Sequence, residues 1–194
     1  MKVWQSNCNT LKKINMKKLL TIILLFLSLF TFGQNKLITK NGTITFEASV
    51  PSFEEINAKN DGVTCIINTK TGEIASLALV KGFRFKIALM EEHFNENYIE
   101  SDAHPKATFK GKIENFDYSK LSTESKNYNI KGKLELHGKT KEINIIASIK
   151  KNSTGLAFIS NFSVNTDDFG IKIPNMVSKK VSKKVDLKLD FVLK

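Results

Sequence analysis

The chain has 194 residues, with 30 Lys+Arg against 19 Asp+Glu and a formal net charge of +11. Its 41% hydrophobic and 25% charged residues are ordinary globular composition, which excludes a disordered or fibrous chain. Two cysteines build no disulfide framework, and the positive excess raises nucleic-acid binding as a reading to be tested.

The charge is unevenly placed. Residues 1–33 hold Lys2, Lys12, Lys13, Lys17 and Lys18 with no acid, followed within that stretch by the uncharged run Leu19–Phe32. A basic start, a short apolar core and the small residues Thr31 and Gly33 predict a secretory signal peptide with cleavage near Gly33. Fourteen apolar residues fall short of the roughly 20 that span a bilayer. Met16 is the expected start, with Met1–Asn15 an upstream extension. Removing residues 1–33 leaves 161 residues, 34–194, with 25 basic against 19 acidic residues, or +6. Twenty-nine of the 30 basic residues are lysine, whereas readers of bases and phosphates favour arginine, so no nucleic-acid partner is expected. Export predicts a periplasmic or secreted protein. Cys65, in the apolar stretch Val63-Thr-Cys-Ile-Ile67, reads as a buried small hydrophobe.

From Gly42 onward the dominant period is two. Ile44/Phe46/Ala48/Val50, Phe83/Phe85/Ile87/Leu89, Ala107/Phe109/Gly111/Ile113 and Tyr128/Ile130/Gly132/Leu134/Leu136 each alternate mainly with polar residues. So do Ile143–Ile149, Leu156–Val164 and Val185–Leu193, while Val63–Asn68 and Gly72–Val80 add two further strands. Turn signals at Lys70-Thr-Gly72, Lys81-Gly82, His137-Gly138 and Asn152–Gly155 separate them. Only Met90–Asn95 and a turn near Pro174–Lys180 look helical. The predicted fold is all-β, a single antiparallel barrel or sandwich domain over 34–194 with one short helical segment.

Catalytic constellations are sparse. His93, His104 and His137 show no metal-pair spacing, so no metal is expected. Asp167-Asp168-Phe169-Gly170 reads as a loop whose carboxylates bond local amides, or as a chemical site. No nucleophile elbow or glycine-rich phosphate loop is present, and neither a catalytic residue nor a cofactor is expected.

Four stretches in order carry a family resemblance. Met90-Glu-Glu-His-Phe-Asn-Glu-Asn-Tyr98 leads into His104-Pro-Lys-Ala-Thr-Phe-Lys-Gly-Lys-Ile113. Ile130-Lys-Gly-Lys-Leu-Glu-Leu-His-Gly-Lys-Thr-Lys141 and Phe162-Ser-Val164…Asp168-Phe-Gly-Ile171 follow. Over roughly Gly42–Leu193 this order resembles the YceI-like family of polyisoprenoid-binding proteins, departing from it in the first hairpin and in having no Trp there.

The resemblance implies a lipocalin-like barrel of about eight strands holding a long apolar lipid in an internal tunnel. The lipid would be a polyisoprenoid, a quinone-like molecule or a fatty chain, carried or sequestered without catalysis. Candidate ligand contacts are Phe46, Phe83, Phe85, Ile87, Phe94, Tyr98, Phe109, Leu134, Phe158, Phe162 and Phe169. Met90–Tyr98 is a candidate cap at the barrel mouth. The small inward-phase residues Ala107, Gly111, Gly132, Ala147 and Ser160 would leave room, although pattern alone does not separate a hollow barrel from a filled one. Arg84, the only arginine, clamps a phosphate headgroup or, as the alternate of two apolar neighbours, faces outward. Lys179, Lys180, Lys183 and Lys184 read as solvated strand-end charge or as a peripheral contact with a membrane surface. A homodimer is a further option. The competing readings are an enzyme using His93, His104 or Asp168 as acid or base in a barrel pocket, and a basic structural envelope protein without a cavity.

Overall fold

Alternating side chains dictate the architecture, because each strand has one apolar face to hide. In Lys126–Leu136, for example, Tyr128 and Ile130 are buried while Asn129 and Lys131 are exposed. The computed structural model describes residues Asn35–Lys194. The expected leader, with its start at Met16 and cleavage near Gly33, lies outside the described residues. Among the described residues no helix is long and apolar enough to cross a membrane.

The long strands are β1 (Lys36–Ser49), β2 (Asn57–Asn68), β3 (Glu73–Leu79), β5 (Lys106–Ile113), β6 (Lys126–Leu136), β7 (Lys139–Asn152), β8 (Gly155–Asn165) and β9 (Val181–Leu193). Each pairs antiparallel with the next around the ring, and β1 pairs with both β2 and β9. The result is a closed eight-stranded barrel. An extra strand, β4 (Arg84–Phe85), attaches to the start of β2 through Ala58↔Phe85 and Lys59↔Arg84.

The expected strand over Phe83–Leu89 is largely replaced. After Phe85 the chain turns into α1 (Ala88–His93), which continues as a wider turn over Phe94–Tyr98. Alternation ends there, and Leu89 is 57% exposed. The helical spacing Met90–Phe94–Tyr98 takes over, with these three side chains half-buried. Arg84 faces outward. Its Nη1 lies 2.6 Å from Glu91 Oε1, while Glu91 Oε2 accepts from the Phe85 amide, so one carboxylate fastens α1 to β4.

The barrel is filled at one end. Val63, Cys65, Ile67, Ile113, Ile130, Ile149, Leu156 and Leu193 are almost fully buried there, around Phe158 and Phe191, whose rings stack at 5.7 Å and 15°. Two of the expected gaps are also occupied. Gly111 and Gly132 face each other across β5–β6, and a Cβ on Gly132 would stand 2.5 Å from Phe109 Cζ. These glycines seat the Phe109 ring rather than opening space. Ala147 is fully buried in the core, and Ser160 donates to the Ile146 carbonyl at 2.8 Å.

Towards the other end, β7 and β8 part. Their ladder runs from Asn152↔Gly155 to Ala147↔Ser160 and goes no further among the described residues. A cleft of about 270 Å³ lies beyond it, lined by Lys141, Ile143, Ser163, Val164, Asn165, Asp168, Phe169 and Lys184. A Lys141–Asp168 ion pair bridges the gap. Ser163 donates to Asp186, and that bond, with Lys184 nearby, holds the Asp186 carboxyl below the usual carboxylate range.

Two outcomes follow from the filled end. Phe158→Ala leaves a ring-sized void against Phe191 and is expected to cost about 3–5 kcal/mol in urea unfolding. Burial pushes the Cys65 thiol up to about 12, so at pH 8 it is almost entirely protonated. In a Cys8→Ser chain, a thiol reagent at that pH is expected to label Cys65 only after denaturation.

Candidate functional site

The half of the barrel opposite the filled end is hollow, with a cavity of about 370 Å³ that falls within the range of small-molecule sites. Its walls come from alternating positions of β1 (Ile44, Phe46, Ala48), β8 (Phe162, Val164) and β9 (Val185, Leu187), with further residues from β3, β5 and β6. Phe109, Phe158 and Phe191 form part of the lining where the filled core begins.

The cap is aromatic. Phe94, from the turn after α1, sits 5.4 Å from Phe46, 5.2 Å from Phe85 and 6.0 Å from Phe83, centroid to centroid. The tilted and edge-on geometries are those that aromatic pairs prefer. A second apolar cluster of Val80, Ile99, Phe169 and Ile171 packs with Tyr98 and Leu134 beside it. Polar lining residues are few: Glu54, His93, Lys180 and Ser182 among them. Thr166 also lines the cavity, is 8% exposed, and its hydroxyl has no hydrogen-bond partner. A buried hydroxyl without a partner costs the fold free energy.

Ten of the eleven expected contacts, all except Ile87, border this cavity. Ile87 caps the start of α1, where the strand alternation has already ended, and is exposed. Of the five small residues expected to make room, Ala107 alone borders the cavity. Sequence reasoning missed Thr166, whose isolation depends on a three-dimensional setting, and Val185 and Leu187, whose alternation had placed them on a strand but not at the cavity.

The proposed acid and base groups do not converge. His93 borders the cavity, Asp168 pairs with Lys141, and His104 packs on His137 with ring centroids 4.6 Å apart. In the Asp167-Asp168 loop, a 3₁₀ turn over Thr166–Phe169, the Asn165 side chain accepts from the Asp167 amide. The two aspartates instead pair with lysines, Asp167 with Lys183 at 3.0 Å. The Lys183 and Lys184 side chains are thus both in ion pairs, the latter with Asp186 at 3.4 Å.

Three solved structures share this fold. A polyisoprenoid-binding domain from Saccharophagus degradans, described as implicated in plant cell wall breakdown, superposes with a TM-score of 0.71 at 14% identity, covering 82% of this chain and 98% of that one. Burkholderia cenocepacia BcnA gives 0.65 at 14% identity, covering 78% of this chain and 96% of its own. A Campylobacter jejuni YCEI protein gives 0.59 at 14% identity, with 75% and 87% covered. No curated protein sequence matches the chain. The YceI-like domain model matches residues 30–193, nearly the whole of the barrel and its approach, and the chain belongs to that family.

Proposed function

We propose that this protein binds a long apolar lipid, of isoprenoid, quinone-like or fatty type, in the hollow half of its barrel and carries or sequesters it without chemical change. The observation that carries the reading is the combination of an apolar cavity at one end with a solid core at the other. A cavity lined by Phe46, Phe83, Phe85, Phe94 and Phe162 rewards each buried methylene by about 0.8 kcal/mol, so a chain of several carbons binds usefully without any catalytic group. The polyisoprenoid binding of the Saccharophagus domain supports the same class of ligand. Lys180 in the cavity lining, with Lys179 next to it in the chain, suits a peripheral approach to an anionic membrane surface, from which such a ligand would be drawn. Export to the periplasm, through the leader read from residues 1–33, completes the proposal.

Gentle purification from a native host, followed by extraction and mass spectrometry, is expected to yield a long-chain lipid approaching one per protein; repeated recovery of lipid-free protein that also refuses added polyprenol would overturn the reading. Ala107→Phe, which fills the cavity from β5, is expected to weaken polyprenol binding about tenfold or more, the worth of roughly two methylenes, in a fluorescence displacement assay. Thr166→Val, which removes a buried hydroxyl without a partner, is expected to raise stability by about 1 kcal/mol or more in urea unfolding.

A further inference from the structure

We propose that Glu100, His104 and His137 form a binding site for one divalent transition-metal ion of the zinc class, outside the lipid cavity. Candidate ligand atoms of the three residues lie within 4.8 Å of one another. They come from two elements that the fold brings together: the turn running Glu100–His104, and the two-residue turn His137-Gly138 that joins β6 to β7.

The tautomer of His137 points to a cation. Its Nδ1 lies 3.1 Å from the Phe169 carbonyl oxygen, which can only accept, so Nδ1 carries the hydrogen. In the neutral ring Nε2 then holds a lone pair, and that nitrogen stands 3.2 Å from Glu100 Oε2. Two acceptors at that distance repel unless a positive species joins them. A proton would join two atoms only. A third donor, His104 Nε2, lies 4.0 Å from the same Glu100 oxygen, and the two imidazoles meet at 68°. A metal ion satisfies all three.

The distances suit the chemistry. Zinc bonds of about 2.0–2.1 Å in tetrahedral geometry set ligand atoms about 3.3 Å apart. The 3.2 Å pair already fits, and the exposed Glu100 side chain is free to rotate and close the 4.0 Å one. Two imidazoles and one carboxylate suit zinc, cobalt, nickel or copper rather than calcium or magnesium, which take oxygen. The Phe169 carbonyl is the outer partner that orients a ligating histidine. Exposure of Glu100 leaves a fourth position for water.

The local backbone serves this meeting. His137 has φ of 51° and Gly138 of 69°, both in the left-handed region that a tight hairpin turn needs. Asparagine would fill the first position more easily, yet histidine stands there. A Cβ on Gly138 would lie 2.8 Å from His104 Cε1, so glycine is what lets that ring close over the turn. Glu100 also has a positive φ, 48°. In the sequence the site shows only as the i,i+4 pair Glu100–His104, a carboxylate–histidine spacing rather than a pair of histidines. An ion here would tie the segment that follows the cap to the β6–β7 turn, with Ile99 and Phe169 of the cavity wall on either side.

The test is titration of the purified protein, without a histidine tag, with Co²⁺ and Zn²⁺. One equivalent of Co²⁺ is expected to bind with the intense visible bands of a four-coordinate ion, and Zn²⁺ to displace it. Both His137→Asn, which keeps the turn, and Glu100→Gln, on the surface, are expected to weaken binding at least about tenfold, while His93→Gln leaves it unchanged. Circular dichroism melts confirm that each variant is folded. Absence of saturable binding to the wild type, a purely six-coordinate spectrum, undiminished binding in either folded variant, or an equal loss in His93→Gln would each overturn the site.

Discussion

The double pairing of β1 is the constraint on which the molecule depends. β1 meets β2 on one side and β9 on the other, and the Ile38 and Lys194 backbones exchange hydrogen bonds at 2.8 and 3.1 Å where the circuit ends. A sheet of eight strands left open would expose two edges of unpaired amides and carbonyls. Closure removes both and turns eight one-sided strands into a single interior. The chain meanders from each strand to its neighbour, so the long-range step is the return of β9 to β1.

The interior is then divided by side-chain size. Large aliphatic residues and the stacked Phe158 and Phe191 fill one end, and two facing glycines make space for the Phe109 ring at its border. Beyond them the walls stay apolar but do not meet. Four phenylalanines, Phe46, Phe83, Phe85 and Phe94, hold the cap against this hollow. The Arg84–Glu91 pair and the Glu91 contact with the Phe85 amide add little energy at an exposed surface, yet they set the angle at which α1 leaves β4.

Most of the barrel was legible in the sequence because period-two alternation is a local property, and nearly every alternating run became a strand. The exception, Phe83–Leu89, shows the limit: Phe83 and Phe85 obey the strand period, Met90, Phe94 and Tyr98 obey the helical one, and α1 takes over the last two residues of the alternating run. The aromatic lining was legible because a residue on an inward phase must border whatever the barrel contains. Whether it borders a cavity or a core was not, because that depends on how rings such as Phe109 fall across a sheet. Gly111 and Gly132 looked like vacancies in one dimension and are occupied in three. The meeting of His104 with His137 was equally hidden, since they stand 33 positions apart and only the barrel's end brings their turns together.

The filled half of the barrel has a consequence for what happens at the other. Its core closes on itself through Val63, Cys65, Ile130, Ile149 and Leu156, none of which borders the cavity. These five pack below the layer of Phe109, Phe158 and Phe191, which faces the core on one side and the cavity on the other. β7 and β8 part where that core ends: their ladder stops at Ala147↔Ser160, and beyond it the Lys141–Asp168 ion pair spans the gap. The solid core and the hollow are thus successive stretches of one interior, and the same strands that pack against one another below wall the cavity above.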